Sequence, residues 1–168
     1  PILLRLPWDQ RPWMEQVFPT LDAWEKRPLN APEWAKSEGV LPDRFYGEMR
    51  RAAFRHEASW EYPLRETSPY MVVLSDVQDL RSWLGRGLSA RIRSHLSRGE
   101  LDLAREGILV GLANSRHIAR TPLYINQSVA TSIQHILLRR VEELIAQPHS
   151  PNLYWALTSL PDSLVELD

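Results

Sequence analysis

Three long stretches of this chain repeat apolar residues at spacings of three and four, and no other sequence feature restricts the fold as strongly. The stretches cover 69–98, 100–119 and 122–147. Such spacing places the apolar side chains of each stretch on one face of an α-helix. The positions predicted to face inward are Val73, Val77, Leu80, Leu84, Leu88, Ile92, Leu96, Leu101, Ala104, Ile108, Gly111 or Leu112, Ser115, Ile118, Val129, Ile133, Leu137, Val141 and Leu144. We predict an all-α fold of antiparallel helices.

Helix starts are marked by a hydroxyl residue followed by proline, at Ser68-Pro69, Thr121-Pro122 and Ser150-Pro151. The hydroxyl accepts hydrogen bonds from the free amides of the first turn, and proline fits the position after the cap. The last of these predicts a short helix over 153–160. Leu41-Pro42-Asp43 predicts a further helix through about Ser59, with His56 on its apolar side.

The first 40 residues form a proline- and tryptophan-rich segment that precedes the helical unit of residues 41–168. They contain six prolines and four of the seven tryptophans, namely Trp8, Trp13, Trp24 and Trp34. Prolines at this density prevent a long helix, so only short helical turns are expected, near 13–18 and 20–26. Two interpretations stay open: a wrap anchored on the helical body by its indoles, or an aromatic patch that contacts a partner or ligand.

A tight turn at Gly99 joins the first two long helices, and it resembles that of a tetratricopeptide hairpin. Leu101 and Ala104 follow the Gly-Glu turn where such repeats pack small residues, although a period of 34 residues does not recur. Gly85 and Gly87 interrupt the first stretch and predict a close helix approach or a bend. The expected architecture is a tetratricopeptide-like, right-handed helical stack.

Composition excludes several kinds of chemistry. The 168 residues include no cysteine, which excludes disulfides and thiolate nucleophiles, and the net charge of −1 gives no global basic field for nucleic acid. His56-Glu57 lacks the second histidine of a zinc-protease helix, and the other histidines are single residues on separate elements. Nucleophile-elbow and phosphate-loop motifs are absent from the sequence. We predict no cofactor, no metal site, no transmembrane segment and no nucleic-acid partner.

Residues 139–148 and 151–161 form a distinctive C-terminal signature, and 60–66 and, more weakly, 31–34 accompany it. Over roughly residues 31–161 the sequence resembles a family of uncharacterised planctomycete helical proteins, whose members carry a similar "VEELIxQP…PNLYWALTxLP" signature. The family implies a secretory leader before this region, more chain after it, and export to the cell envelope or periplasm. It implies no reaction.

Within that signature, Asn152, Tyr154 and Trp155 are the remaining candidates for a site. Leu153, Ala156, Leu157 and Leu160 would share one helix face, which leaves the two aromatic rings at its sides. These residues either lock the end of the helical stack or form a surface that recognises a peptide or sugar.

The predicted function is a non-catalytic scaffold or interaction subunit of a larger, cell-envelope assembly, whose protein partners are copies of this chain or other subunits. A peptide- or glycan-binding helical module is the alternative, and a hydrolase with an unrecognised site is a second alternative. The predicted partner-binding residues are Trp8, Trp13, Trp24, Trp34, Asn152, Tyr154 and Trp155.

Overall fold

The computed structural model describes residues 20–36, 41–56, 81–120, 123–154 and 158. Its main helices are α1 (Asp43–Ala53), α2 (Leu88–Ser97), α3 (Leu101–Ala119) and α4 (Tyr124–Ile145). A π-helical turn, Arg81–Gly87, runs directly into α2, residues 20–26 are helical, and Pro32–Lys36 form a 3-10 turn. The described residues contain no β-strand, and the all-α prediction is confirmed. No helix among them is long and apolar enough to cross a membrane.

The core lies between α2, α3 and α4, and α1 packs against α3. Most positions predicted to face inward in this part of the chain are buried: Leu84, Leu88, Ile92, Leu96, Ala104, Ile108, Gly111, Ser115, Ile118, Val129, Ile133, Leu137 and Leu144. Val141 is half-buried against the same core. The periodicity therefore identified the packed faces of α2, α3 and α4 correctly.

The turn between α2 and α3 has the geometry predicted at Gly99. This residue adopts a φ of 73°, in the left-handed region where glycine carries no steric penalty. Its amide donates to the Leu96 carbonyl at 3.0 Å, and the Glu100 amide donates to the His95 carbonyl at 2.9 Å. These two bonds form a Schellman motif, which satisfies the last carbonyls of α2 and reverses the chain into α3.

Glycine also lets three helices meet at the centre of the core. A Cβ atom on Gly111 would lie 2.6 Å from Leu137 Cδ1 and 2.9 Å from Leu88 Cδ2. One turn earlier, a Cβ on Gly107 would lie 2.8 Å from Ile92 Cγ1. Because real Cβ atoms do not approach neighbours so closely, a side chain at either position would force these leucine and isoleucine side chains to shift.

Helix α1 ends earlier than the sequence predicted. It stops at Ala53 with Phe54 as its C-cap, so the predicted continuation to Ser59 is wrong over residues 54–56, and His56 is exposed instead of packed on an apolar face. The Arg120 Nη1 of α3 donates to the His56 carbonyl at 3.2 Å. A side chain from another helix thus binds a carbonyl of the chain that leaves α1.

Other predicted boundaries agree within a few residues or lie outside the described residues. Helix α4 begins at Tyr124, after Leu123 in an extended conformation, whereas its predicted Thr121-Pro122 start is outside. Residues 13–18, 60–66 and 69–80 are outside as well. In the short helix predicted over 153–160, residues 154 and 158 are helical and most of the others are outside.

Candidate functional site

The most unusual feature of the described structure is the way in which residues 20–36 attach to the helical body. Trp34 is 2% exposed, and its Nε1 donates to the Pro28 carbonyl at 2.8 Å. The Trp24 ring lies against it, with ring centroids 4.7 Å apart, and the Arg27 guanidinium lies 4.4 Å from the Trp24 ring centre. In this segment the two indoles pack against each other, and the Trp34 ring is buried.

Arg93 of α2 binds the C-terminal end of the short helix at 20–26. Its Nη1 donates to the carbonyls of Trp24 at 2.8 Å and Glu25 at 2.5 Å, and its Nε donates to Glu143 Oε2 at 3.1 Å. Free carbonyls and the helix dipole make a helix C-terminus negative, so a guanidinium is a suitable cap there. The Arg93 side chain is only 7% exposed, whereas that of Glu143 is 25% exposed, so these bonds are partly buried.

Arg140 of α4 completes a group of four charges, which we call the buried charge network: Arg93, Arg140, Glu25 and Glu143. Its two arginines are buried, and its two glutamates are half-buried. The Arg140 side chain is 6% exposed, its Nη2 lies 3.8 Å from Glu25 Oε1, and its Nε lies 3.5 Å from Glu143 Oε2. Burial lowers the pKa of Arg140, while the carboxylates of Glu143 and Glu25 oppose that change. Two guanidinium groups and two carboxylates leave the network with no net charge.

The network is not equally well bonded at its two arginines. Arg93 has three hydrogen bonds, whereas Arg140 Nε and Nη1 form none among the described residues, and neither does Glu25 Oε2. Arg140 is therefore held by charge attraction over 3.5–3.8 Å. Arg93 is the member that attaches the segment to the body, because it alone among the four donates hydrogen bonds to backbone carbonyls of residues 20–36.

Sequence reasoning missed both arginines, since it scored only apolar residues. The signal was present for Arg140, which follows Leu137 by three and precedes Leu144 by four, so it lies in register with the buried face of α4. An arginine at an inward position needs a carboxylate or carbonyl partner. Glu143, three residues further on, is one such partner, whereas the other, Glu25, lies more than one hundred positions away and no local pattern points to it.

Polar residues of α3 hold the end of α1 in a similar way. Asn114 Nδ2 donates to the Met49 carbonyl at 2.9 Å and to the Val110 carbonyl at 2.8 Å. His117 forms hydrogen bonds with backbone groups near the end of α1, and burial, followed by the charge of Arg120, lowers its pKa. The side chains that face α1 at this end are therefore donors that satisfy its carbonyls.

The remaining histidines of the described chain do not gather. His95 Nδ1 lies 2.7 Å from Glu100 Oε2 at the α2–α3 turn, and the Arg98 Nε donates to the same carboxylate oxygen at 3.0 Å. No group of three potential metal-binding side chains occurs within the residues that the structure describes. The contact of His95 with Glu100 belongs to the turn itself.

The C-terminal signature residues have separate roles in the structure. Asn152 Oδ1 accepts a hydrogen bond from the Tyr154 amide at 3.0 Å, which is how an Asn side chain caps a first helical turn. The Tyr154 residue is 60% exposed. Trp155, like Trp8 and Trp13, lies outside the described residues.

Comparisons with known proteins do not assign this arrangement to a family. No protein-family profile, no curated protein and no solved structure matches the chain significantly.

Proposed function

We propose that this protein is a non-catalytic scaffold or interaction subunit of a larger assembly in the cell envelope. The observation that carries the proposal is the attachment of residues 20–36 through the buried charge network. Buried ion pairs add little net stability, because desolvation offsets their attraction, but they can select one arrangement over others. A segment held in this way fixes the point from which the preceding residues extend.

Those preceding residues contain the tryptophans that are expected to contact a partner. Trp24 and Trp34 pack against each other and the body, which leaves Trp8 and Trp13 as the candidates within the first 40 residues. Tryptophan carries a large apolar area and is enriched among the residues that dominate interface energy. We therefore assign the partner contact to Trp8 and Trp13, with residues 20–36 as their anchor.

Two further parts of the proposal, the location in the cell envelope and membership of the planctomycete family, rest on the sequence resemblance to that family. We also propose a tetratricopeptide-like stack, because the turn at Gly99 resembles that of a tetratricopeptide hairpin, and the α2–α3 hairpin would be its unit. Stacked helix pairs offer extended surfaces that suit a protein with several partners.

The test is replacement of Trp8 and Trp13 together by alanine in the protein purified with its native partners. We expect the double variant to elute as the free chain in size-exclusion chromatography with light scattering, while its far-ultraviolet circular dichroism stays unchanged. A matched variant with phenylalanine at both positions keeps aromatic area and should retain the assembly. An alanine variant that stays assembled, or that loses helix content, would contradict the proposal.

A peptide- or glycan-binding role for the C-terminal signature is the second candidate, and the exposure of Tyr154 favours it. Asn152 uses its amide oxygen for the helix cap, so the aromatic ring is the group presented outward. Retention of the assembly in the Trp8 and Trp13 variant, together with its loss on Tyr154→Ala, would favour this candidate.

A further inference from the structure

A surface separate from the attachment site of residues 20–36 lies at the end of the helical body where α1 and α3 both end. The Arg120 Nη1 contacts the His56 carbonyl at 3.2 Å, which places the two C-termini side by side. Arg116 precedes Arg120 by four residues and therefore lies on the same face of α3. We call Phe54, Arg55, Arg116 and Arg120 the arginine surface.

The charge of this surface has one sign. Arg55 and Arg116 are exposed and form no ion pair within the described parts of the chain, whereas Arg50, Arg86 and Arg91 each bind a carboxylate. The sequence contains no aspartate or glutamate over 49–56 or over 107–141. Among the described residues, Arg55, Arg116 and Arg120 thus carry guanidinium groups that no acidic side chain pairs, whereas Glu106 of α3 pairs with the neighbouring Arg50.

Phe54 adds an apolar group to these cations. It is 71% exposed at the C-cap of α1, although phenylalanine is ordinarily among the most buried residue types. The Arg50 guanidinium lies 5.9 Å from the Phe54 ring centre, and Arg55 follows Phe54 in the chain. Aromatic residues and arginine are both enriched at protein interfaces. Such a surface is complementary to carboxylates placed next to an apolar side chain.

We propose that the arginine surface binds an acidic segment of a partner protein, whose carboxylates pair with Arg55, Arg116 and Arg120 and whose apolar side chain covers Phe54. Charge complementarity selects the occupant. A peptide fits better than a nucleic acid, because the chain as a whole has a net charge of −1 and a single exposed ring offers no series of stacking positions. This proposal is independent of the contact assigned to Trp8 and Trp13.

The experiment measures fluorescence anisotropy of a short labelled peptide of alternating glutamate and leucine on the purified full chain. The test variant is Arg55→Gln with Arg116→Gln, and its control is Arg44→Gln with Arg139→Gln. All four arginines are exposed and form no ion pair among the described residues, and both variants change the net charge equally. An exposed pair contributes up to about 1 kcal/mol, or about fivefold in affinity.

We expect the test variant to weaken peptide binding by about tenfold and the control to leave it within about twofold. Phe54→Ala should weaken it further, and a glutamine-and-leucine peptide should not bind. Equal losses in the two arginine variants would overturn the proposal, because they would report net charge alone. It would also fail if single-stranded DNA bound more tightly than the peptide.

Discussion

Replacement of Arg93 by methionine tests whether the buried charge network attaches residues 20–36 to the body. Methionine retains most of the apolar length of the side chain but removes the hydrogen bonds to the Trp24 and Glu25 carbonyls and to Glu143. Each hydrogen bond from a charged group contributes roughly 1.5–3 kcal/mol, and breaking a buried pair costs about 3–5 kcal/mol in total. We expect the free energy of unfolding to fall by about 3–5 kcal/mol.

Part of that loss of stability is confined to residues 20–36, so the Arg93→Met variant should have a second measurable effect. Without Arg93, the end of the helix at 20–26 loses its cap, and Glu143 keeps only Arg140 as a cation in the network. The segment should then detach before the body unfolds, which exposes Trp34 to water. Tryptophan emission should shift to longer wavelength at low urea, and limited proteolysis should cut within residues 20–36 first.

The matched control is Arg86→Met. Arg86 binds Asp22 at 2.8 Å and so connects the same segment to the body, but both side chains are more exposed than that of Arg93, at 32% and 51%. Exposed pairs contribute at most about 1 kcal/mol. If urea denaturation gave the two variants the same loss, or if Arg93→Met left the proteolysis pattern unchanged, the network would not be what holds the segment.

Two further predictions concern packing and pH. Gly111→Ala should lower the free energy of unfolding by about 1–3 kcal/mol, since its Cβ would lie 2.6 Å from Leu137 Cδ1. In Gly47→Ala of α1 the new Cβ meets nothing within 4 Å, so this variant should raise the free energy of unfolding by up to about 1 kcal/mol. Thermal denaturation measures both variants, and equal effects would refute the packing argument. The pKa of Glu100 is lowered from 4.5, first by its hydrogen bond with His95, so its ionised form stabilises the fold above that pH and the contribution is lost as the pH falls through the folded-state pKa. Urea titrations below about pH 4.5 should therefore show a steeper loss of stability for the native protein than for Glu100→Gln, and parallel curves would count against it.

The apolar periodicity was sufficient to predict which faces of the helices pack. Positions such as Leu88, Ile108 and Leu137 recur at fixed spacing, because burying one face of a helix imposes the helical repeat on the sequence. Gly99 was also identifiable, since a tight turn after a helix needs a residue that tolerates positive φ. These features depend on residues close together in the chain.

What could not be predicted depends on contacts between distant residues. Arg93 and Glu143 are 50 positions apart, and neither has a neighbour in sequence that indicates the other. The end of α1 was placed too late for the same reason, because the donors near its end, His117 and Arg120, come from α3. Nothing in the sequence around Trp34 indicated whether its ring is buried within the protein or contacts a partner.

The π-helical turn at Arg81–Gly87 has a consequence for changes in chain length during evolution. Its hydrogen bonds enclose one more residue per turn than those of an α-helix. Loss of a single residue there would convert the turn to ordinary helix and leave α2 in place, because Leu88 and Ile92 remain seated on Gly111 and Gly107. The same loss within α3 would rotate those glycines about 100° away from α2. A lineage of this protein can therefore lose a residue before α2 more readily than from the part of α3 that positions Gly107 and Gly111.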